Sequence, residues 1–189
     1  MKRKFYALLA LIAAAIVALD QWTKHLTIQN IPLGTHRDSI LGIFHLTHTK
    51  NTGAAWSMLE GQTWLFVVVF AVFLVLLGVV VRKQWLSKKF EWLCLTAIVG
   101  GGIGNLIDRL MTGAVTDMIC FDFINFPVFN VADCFITVGC FTLLVYILIF
   151  DRDTKSPAEQ DPQNGNTPAE NSTQDENAPA EDDPTDSVI

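Results

Sequence analysis

The chain has 189 residues, 51% of them hydrophobic, and a formal net charge of −6. Residues 1–150 carry 11 basic and eight acidic side chains, whereas residues 151–189 carry two and 11, so the acidic balance belongs to the last segment alone. So much apolar sequence in so short a chain excludes a water-soluble globular domain for residues 1–150.

Four long runs without a charged residue follow one another: Phe5–Leu19, Trp64–Val81, Trp92–Ile107 and Cys134–Phe150. A helix needs about 20 residues to cross a hydrocarbon core of ~30 Å, and each run reaches that length once the polar turns at its ends are included. We therefore predict an all-α membrane protein with four spans, at about 5–22, 64–81, 92–108 and 133–150. The basic start followed by an apolar run also fits a secretory signal peptide, but three further spans favour an uncleaved anchor.

Basic residues predict the orientation of the spans. Nine of them lie on short segments that would share one side of the membrane: Lys2, Arg3, Lys4, Arg82, Lys83, Lys88, Lys89, Arg152 and Lys155. Cytoplasmic segments are enriched in Lys and Arg. Both termini are therefore expected in the cytoplasm, and the loops at 20–63 and 108–133 outside it.

The first loop outside contains Ser39–Thr49, which mixes β-branched, aromatic and polar residues as strands do. It predicts a small β-rich extracytoplasmic platform, with His45 and His48 at its surface. The sequence NTGAAWSML (51–59) predicts a turn and a short amphipathic segment. The second loop, from Met111 to Val131, predicts a turn and a strand-like run.

The last segment, 151–189, has a composition that cannot bury enough apolar surface to order itself. We expect a disordered acidic cytoplasmic tail there, beside one membrane-embedded domain at 1–150. The four cysteines are expected to be free thiols, although the positions of Cys120 and Cys134 leave a disulfide open.

Acidic residues gather at one predicted depth. Asp20 ends the first span, Asp108 ends the third, Asp133 opens the fourth, and Asp117 lies in the loop between the last two. Ionisable groups at membrane depth are costly and usually functional, so these four predict a polar site. Asp20 and Lys24 have the i,i+4 spacing of a helical ion pair.

Two carboxylates in a low-dielectric site share one proton, and such a pair can hydrolyse a peptide bond without a metal or cofactor. The residue pattern alone leaves Asp20, Asp108 and Asp117 as rival partners for Asp133. Asp122, between two phenylalanines, is expected to be solvated and not catalytic. A proton- or ion-coupled transporter and a structural scaffold are the competing interpretations of the same acids.

Five motifs then resemble the lipoprotein signal peptidases of bacteria (signal peptidase II): DQWTK (20–24), NTGAAW (51–56), GGIGNLIDR (101–109), VTDMI (115–119) and FNVADC (129–134). The resemblance covers residues 1–150. It implies an intramembrane aspartic endopeptidase that removes the signal peptide from prolipoproteins, cleaving before a diacylglyceryl-modified cysteine. The implied partners are these prolipoproteins and membrane lipid, with no nucleic acid, no cofactor and no metal.

The resemblance also assigns residues. Asp117 and Asp133 would form the catalytic dyad. The other family positions are Asp20, Lys24, Asn51, Gly53, Asn105, Asp108, Arg109 and Asn130. Of these, Asn51, Arg109 and Asn130 are expected to hold substrate or lipid, and Asp20 with Lys24 and Asn105 with Asp108 to brace the site.

We expect a monomer in the bacterial inner membrane, with its site at the outer leaflet. The chain departs from the family pattern at Cys120, where an acid is frequent, and at Cys134, where serine is common.

Overall fold

The computed structural model of the protein describes residues 2–53, 58–86 and 88–150. In chain order its elements are α1 (Lys2–Asn30), β1 (Phe44–Asn51), α2 (Thr63–Arg82), α3 (Lys89–Thr112), β2 (Val115–Phe121) and α4 (Val131–Phe150). All four helices are long and apolar enough to span a membrane. The predicted architecture of four helices and a small β element is confirmed, whereas the expected tail at 151–189 and part of the expected amphipathic segment (54–57) lie outside the described residues.

Helix α1 is longer than the sequence predicts, because it continues from the apolar run through polar residues to Asn30. The hydroxyls of Thr23 and Thr27 donate to the carbonyls of Asp20 and Thr23, at 2.8 and 3.0 Å. Asp20 therefore lies inside the helix and not at its end. The prediction ended the helix where the apolar run ends. The helix continues beyond that point because its polar turns make contacts with the rest of the protein.

Helix α3 lies between its neighbours and approaches them closely through glycines. A Cβ built on Gly100 would lie 3.1 Å from Ile16 in α1, and one on Gly101 would lie 2.5 Å from the carbonyl oxygen of Ala132 in α4. Small residues let helix backbones approach where lipid offers no hydrophobic drive for association. The glycine-rich stretch thus sets the distance between α3 and both α1 and α4.

The sheet consists of β1 and β2, which pair antiparallel from Phe44 opposite Phe121 to Asn51 opposite Val115. The sequence placed the platform in the first loop, but its two strands come from different loops. Gly113 makes this pairing possible: with φ of 76° it ends α3 in the left-handed conformation, and its N–H donates to the carbonyl of Arg109. The chain turns there and β2 returns across the helix ends.

The expectation that both strand histidines lie at the surface is wrong for His48. The pairing is irregular between Leu46 and Thr49, and His48 is buried with its Nδ1 2.8 Å from the carbonyl oxygen of Ile31. Bulges re-aim side chains relative to strict alternation. His45 lies at the sheet surface and contacts Asp122.

Substituting Gly101 by alanine is expected to destabilise the protein by about 1–3 kcal/mol, because its Cβ would overlap the Ala132 carbonyl. Thermal unfolding in detergent measures the change. Gly78→Ala in α2 is the matched control, since a Cβ there meets nothing within 4 Å. Equal melting temperatures for the two variants would contradict the packing described for α3.

Candidate active site

The side chain of Lys24 joins two helices at the end of the bundle where β1 and β2 lie, here called the site end. Its Nζ lies 2.8 Å from Asp20 Oδ2, 3.2 Å from Asp108 Oδ2 and 2.9 Å from Asn105 Oδ1. Lys24 is only 2% exposed and Asp20 is fully buried. A buried cation needs such partners, because desolvation of a charge is otherwise prohibitive.

The two carboxylates of this cluster also accept backbone hydrogen bonds from the other elements. Asp20 Oδ1 accepts from the N–H of Ala132 at 3.0 Å, in the first turn of α4. Asp108 Oδ2 accepts from the N–H of Thr116 at 2.9 Å, in β2. The ion cluster therefore fixes α1, α3, α4 and β2 relative to one another.

Asp117 projects from β2 between two asparagines. Its Oδ1 accepts from Asn130 Nδ2 at 2.6 Å, and its Oδ2 accepts from Asn51 Nδ2 at 2.9 Å. Asn51 also turns the chain after β1, because its Oδ1 accepts from the N–H of Gly53 at 2.9 Å. Both oxygens of Asp117 are thus oriented by amides, and the residue is only 3% exposed.

Asp133 lies in the first turn of α4 and shares a reciprocal cap with Asn130. The N–H of Asp133 donates to Asn130 Oδ1 at 3.0 Å, and the N–H of Asn130 donates to Asp133 Oδ2 at 3.2 Å. This arrangement satisfies donors that a helix start leaves without intrahelical partners. Asp133 Oδ1 accepts from Asn105 Nδ2 at 2.7 Å, so its carboxylate orientation is fixed as well.

Asn105 and Asn130 connect the two aspartates. Asn130 Nδ2 donates both to Asp117 Oδ1 and to Asn105 Oδ1, the latter at 3.1 Å, while Asn105 Nδ2 donates to Asp133. A continuous series of hydrogen bonds therefore runs from Asp117 to Asp133. It meets the ion cluster at Asn105, which also accepts from Lys24.

Asp117 and Asp133 line one cavity of about 560 Å³. Its wall is mostly apolar and includes Phe66, Phe121, Phe126, Phe129 and Val138. Asp20 and Asp108, the rival partners that the sequence left open, are among the residues of the buried ion cluster and not of this wall. The structure thus places Asp117 and Asp133 at the same cavity, whereas Asp20 and Asp108 do not line it.

Arg109 supplies the positive charge of the cavity wall. Its Nη2 donates to the carbonyl oxygen of Gly53 at 3.1 Å, and its guanidinium lies 4.4 Å from the centre of the Phe66 ring. Stacking and a planar set of donors are what distinguish arginine from lysine at such a site. Arg109 therefore connects α3 with α2 and with the turn that follows β1.

Burial raises the pKa of Asp117 to about 6, and the charge of Asp133 acts in the same direction, against the lowering by the Asn51 and Asn130 hydrogen bonds.

Asp122 has a different environment. Hydrogen bonds from Ser39 and His45 hold the pKa of Asp122 below its ordinary value, and the residue is exposed at the end of β2. It is paired rather than only solvated, and it lies outside the cavity wall.

Two contributors were missed by sequence reasoning. Gln21 Nε2 donates to Asp108 Oδ1 at 2.9 Å and to the Gly104 carbonyl at 3.0 Å. Its position three residues before Lys24 on the same helix could have revealed it. Thr116 contributes a backbone N–H, for which no side-chain pattern gives a signal. All four cysteines are free, including Cys120 and Cys134.

Comparisons with known proteins agree on one family. A sequence model described as signal peptidase (SPase) II matches residues 12–149. The chain belongs to the signal peptidase II family. It is 42% identical to a lipoprotein signal peptidase of Enterococcus faecalis over 145 residues, which cover 77% of this chain and 90% of that protein. It is 43% identical to one of Brevibacillus brevis over 141 residues, which cover 74% and 93%.

Solved structures agree with this assignment. A bacterial membrane enzyme determined by the in meso method at 2.3 Å resolution has a TM-score of 0.73 and 29% identity, covering 80% of this chain and 93% of that one. A second such enzyme, at 1.9 Å, has a TM-score of 0.69 and 31% identity, covering 77% and 94%. This signal peptidase II is therefore a multi-pass membrane protein and an aspartic peptidase that removes signal peptides from prolipoproteins, and the transporter and scaffold interpretations are set aside.

Replacing Lys24 by methionine is expected to destabilise this signal peptidase II by about 3–5 kcal/mol, because it leaves Asp20 and Asp108 buried without their cation. Unfolding in detergent, followed by circular dichroism, measures the loss. Lys4→Met, on an exposed position of the same helix, is the control. A loss no larger than that of the control would show that the ion cluster does not stabilise the fold.

The raised pKa of Asp117 predicts how stability depends on pH. Asp117 binds its proton more tightly in the folded state, where its pKa is about 6, than in the unfolded state, where its pKa is near 3.8. Proton binding at Asp117 therefore adds its full amount to the free energy of unfolding below about pH 4, and this stabilisation is lost as the pH rises through about 6. A pKa of about 6 in place of 3.8 corresponds to a change of about 3 kcal/mol in the free energy of unfolding. Unfolding measured from pH 4 to 8 should show it as a difference between wild type and Asp117→Asn. Parallel pH profiles for the two proteins would contradict the shift.

Proposed function

We propose that Asp117 and Asp133 form the catalytic dyad of this signal peptidase II and hydrolyse the peptide bond with a water molecule held between them. The observation that carries the proposal is that both carboxylates line one cavity and are joined through Asn130 and Asn105. Peptide hydrolysis by two carboxylates needs both at one reacting bond, and no other pair of acids lines this cavity wall among the described residues.

The dyad would share one proton. Two carboxylates facing the same low-dielectric space cannot both ionise without a large electrostatic cost. The raised pKa of Asp117 agrees with this, because burial and the neighbouring Asp133 both act against its ionisation. The ionised partner would take a proton from the water, and the protonated partner would donate to the carbonyl oxygen of the scissile bond. As the C–N bond breaks, the proton taken from the water passes to the leaving nitrogen, and a hydroxyl proton of the tetrahedral intermediate returns to the other aspartate.

The amides would preserve the geometry of the reacting groups. Asn51 and Asn130 orient Asp117, whereas Asn105 and the backbone N–H of Asn130 orient Asp133. Each aspartate then has less freedom to rotate away from the water and the substrate. Pre-orientation of this kind lowers the barrier because the entropy cost is met before the reaction.

The cavity suits an apolar substrate. Its phenylalanine and valine wall would accept the apolar end of the signal peptide and the acyl chains of a diacylglyceryl-modified cysteine. Arg109, at this wall, would donate to a substrate carbonyl or a lipid oxygen. Gly53, whose carbonyl binds Arg109, would hold the guanidinium in place. Asp20, Lys24 and Asp108 would brace the site without touching substrate.

The dyad would act at the outer leaflet, with both termini in the cytoplasm. The support is the excess of Lys and Arg on the segments away from the site end, including Arg3, Lys4, Arg82, Lys83, Lys88 and Lys89. All residues of the proposed machinery come from one chain, so a monomer would suffice. Residues 1–150 would then form the membrane-embedded peptidase domain.

Asp117→Asn and Asp133→Asn are each expected to lower the turnover of a diacylglyceryl-modified prolipoprotein by about 10²–10⁴-fold, because an amide cannot exchange the proton that the reaction requires. Cleavage of purified substrate in detergent, followed by gel shift, measures the rates. Unfolding curves of both variants establish that the fold is retained.

Asp122→Asn is the matched control. It makes the same chemical change on the same loop, at a carboxylate that contacts Ser39 and His45 and not the cavity. Its rate should stay within a few-fold of wild type. An active Asp117→Asn with an inactive Asp122→Asn would mean that the dyad is assigned to the wrong residue.

A further inference from the structure

A strained turn before β1 presents a leucine to the surroundings. The N–H of Ile43 donates to the carbonyl of Ile40 at 3.1 Å, and both central residues have positive φ, 56° at Leu41 and 68° at Gly42. Tight turns with two positive φ values normally take Asn-Gly, and leucine is disfavoured at the first position. Leu41 is nevertheless 89% exposed, so packing against the residues that the structure describes does little to offset the strain.

Further apolar side chains lie beside this turn. The N–H of Asp122 donates to the Ile43 carbonyl at 3.0 Å, which brings the residues after β2 against the turn. The Asp122 carboxylate strengthens the connection, since it accepts from Ser39 and contacts His45. Exposed apolar residues from both segments form what we call the apolar rim: Ile40, Leu41, Ile43, Phe123 and Ile124.

The rim lies at the end of the sheet nearest the segment that leads into α4, since the rings of Phe121 and Phe129 are 5.2 Å apart and Phe129 lies two residues before that helix. Phe121, which is paired with Phe44 at this end, lines the same cavity as Val138. Val138 is seven residues into α4, about 10 Å below its start at 1.5 Å per residue. This end of the sheet therefore borders a cavity that extends along α4, and exposed Val138 and Phe141 belong to the apolar surface of that membrane-spanning helix.

We propose that the apolar rim inserts into the lipid surface of the membrane beside α4 and anchors the sheet there. Contact with lipid accounts for two observations together: the strain at Leu41, and a group of large exposed apolar side chains at the end of the sheet that borders the cavity beside α4. Soluble surfaces seldom present such groups without a partner, and aromatic and aliphatic side chains favour the membrane interface. The inference is independent of the dyad, since it concerns how the sheet is held and not what it cleaves.

Photo-crosslinking tests the proposal directly. The full chain carries p-benzoylphenylalanine in place of Leu41, is reconstituted in phospholipid vesicles and irradiated, and its adducts are identified by mass spectrometry. The matched position is Leu33, which is also exposed but lies beside His48, further along β1. We expect several-fold more lipid adduct from position 41 than from position 33. Equal yields, or adducts with a second copy of the chain, would overturn the proposal.

Leu41→Asn provides a second measurement without a bulky probe. Asparagine tolerates a positive φ better than leucine. If Leu41 faces only water, the Leu41→Asn variant should therefore melt about 2–4 °C higher than wild type. If Leu41 is inserted in lipid, the variant should melt at a lower temperature than wild type in bilayer nanodiscs, because the substitution removes the contact between the leucine and the lipid. Leu33→Asn is the control and should change little. A higher melting temperature for Leu41→Asn in nanodiscs would reject lipid contact at the rim.

Discussion

The buried ammonium of Lys24 is the interaction on which the site depends. It is close to Asp20, Asp108 and Asn105, and the two carboxylates continue to backbone donors of α4 and β2. In lipid, apolar packing alone gives little preference for one arrangement of helices over another. Charges that must be satisfied impose a specific arrangement, because each misplaced helix would leave one of them without a partner.

Asn130 converts this arrangement into a site. The same side chain caps α4, donates to Asp117 and donates to Asn105. The beginning of a helix and the position of the proposed dyad are therefore fixed by one residue. Asn130 is fully buried, and a buried amide that lacked some of these hydrogen-bond partners would destabilise the fold.

Much of this organisation could be predicted from sequence. The four spans follow from apolar runs, and the level shared by Asp20, Asp108, Asp117 and Asp133 follows from their places relative to those runs. The choice of Asp117 over its rivals could not be made from the residue pattern alone, because it depends on β2 folding back after Gly113. The pairing of β1 with β2 was missed for the same reason, since strands from separate loops give no local signal of their partner. The burial of His48 depends on an irregularity in the register that alternation cannot predict.

The amide of Asn105 has only one workable orientation. Its oxygen must face Lys24 and Asn130, which are donors, and its nitrogen must face Asp133, which is an acceptor. The hydrogen bonds are therefore polarised in one direction, from the lysine through the amide to the carboxylate, and each strengthens the next. A positive charge buried on α1 is in this way felt at an aspartate on α4 that it does not touch. The membrane-embedded scaffold and the reacting groups thus form one electrostatic unit.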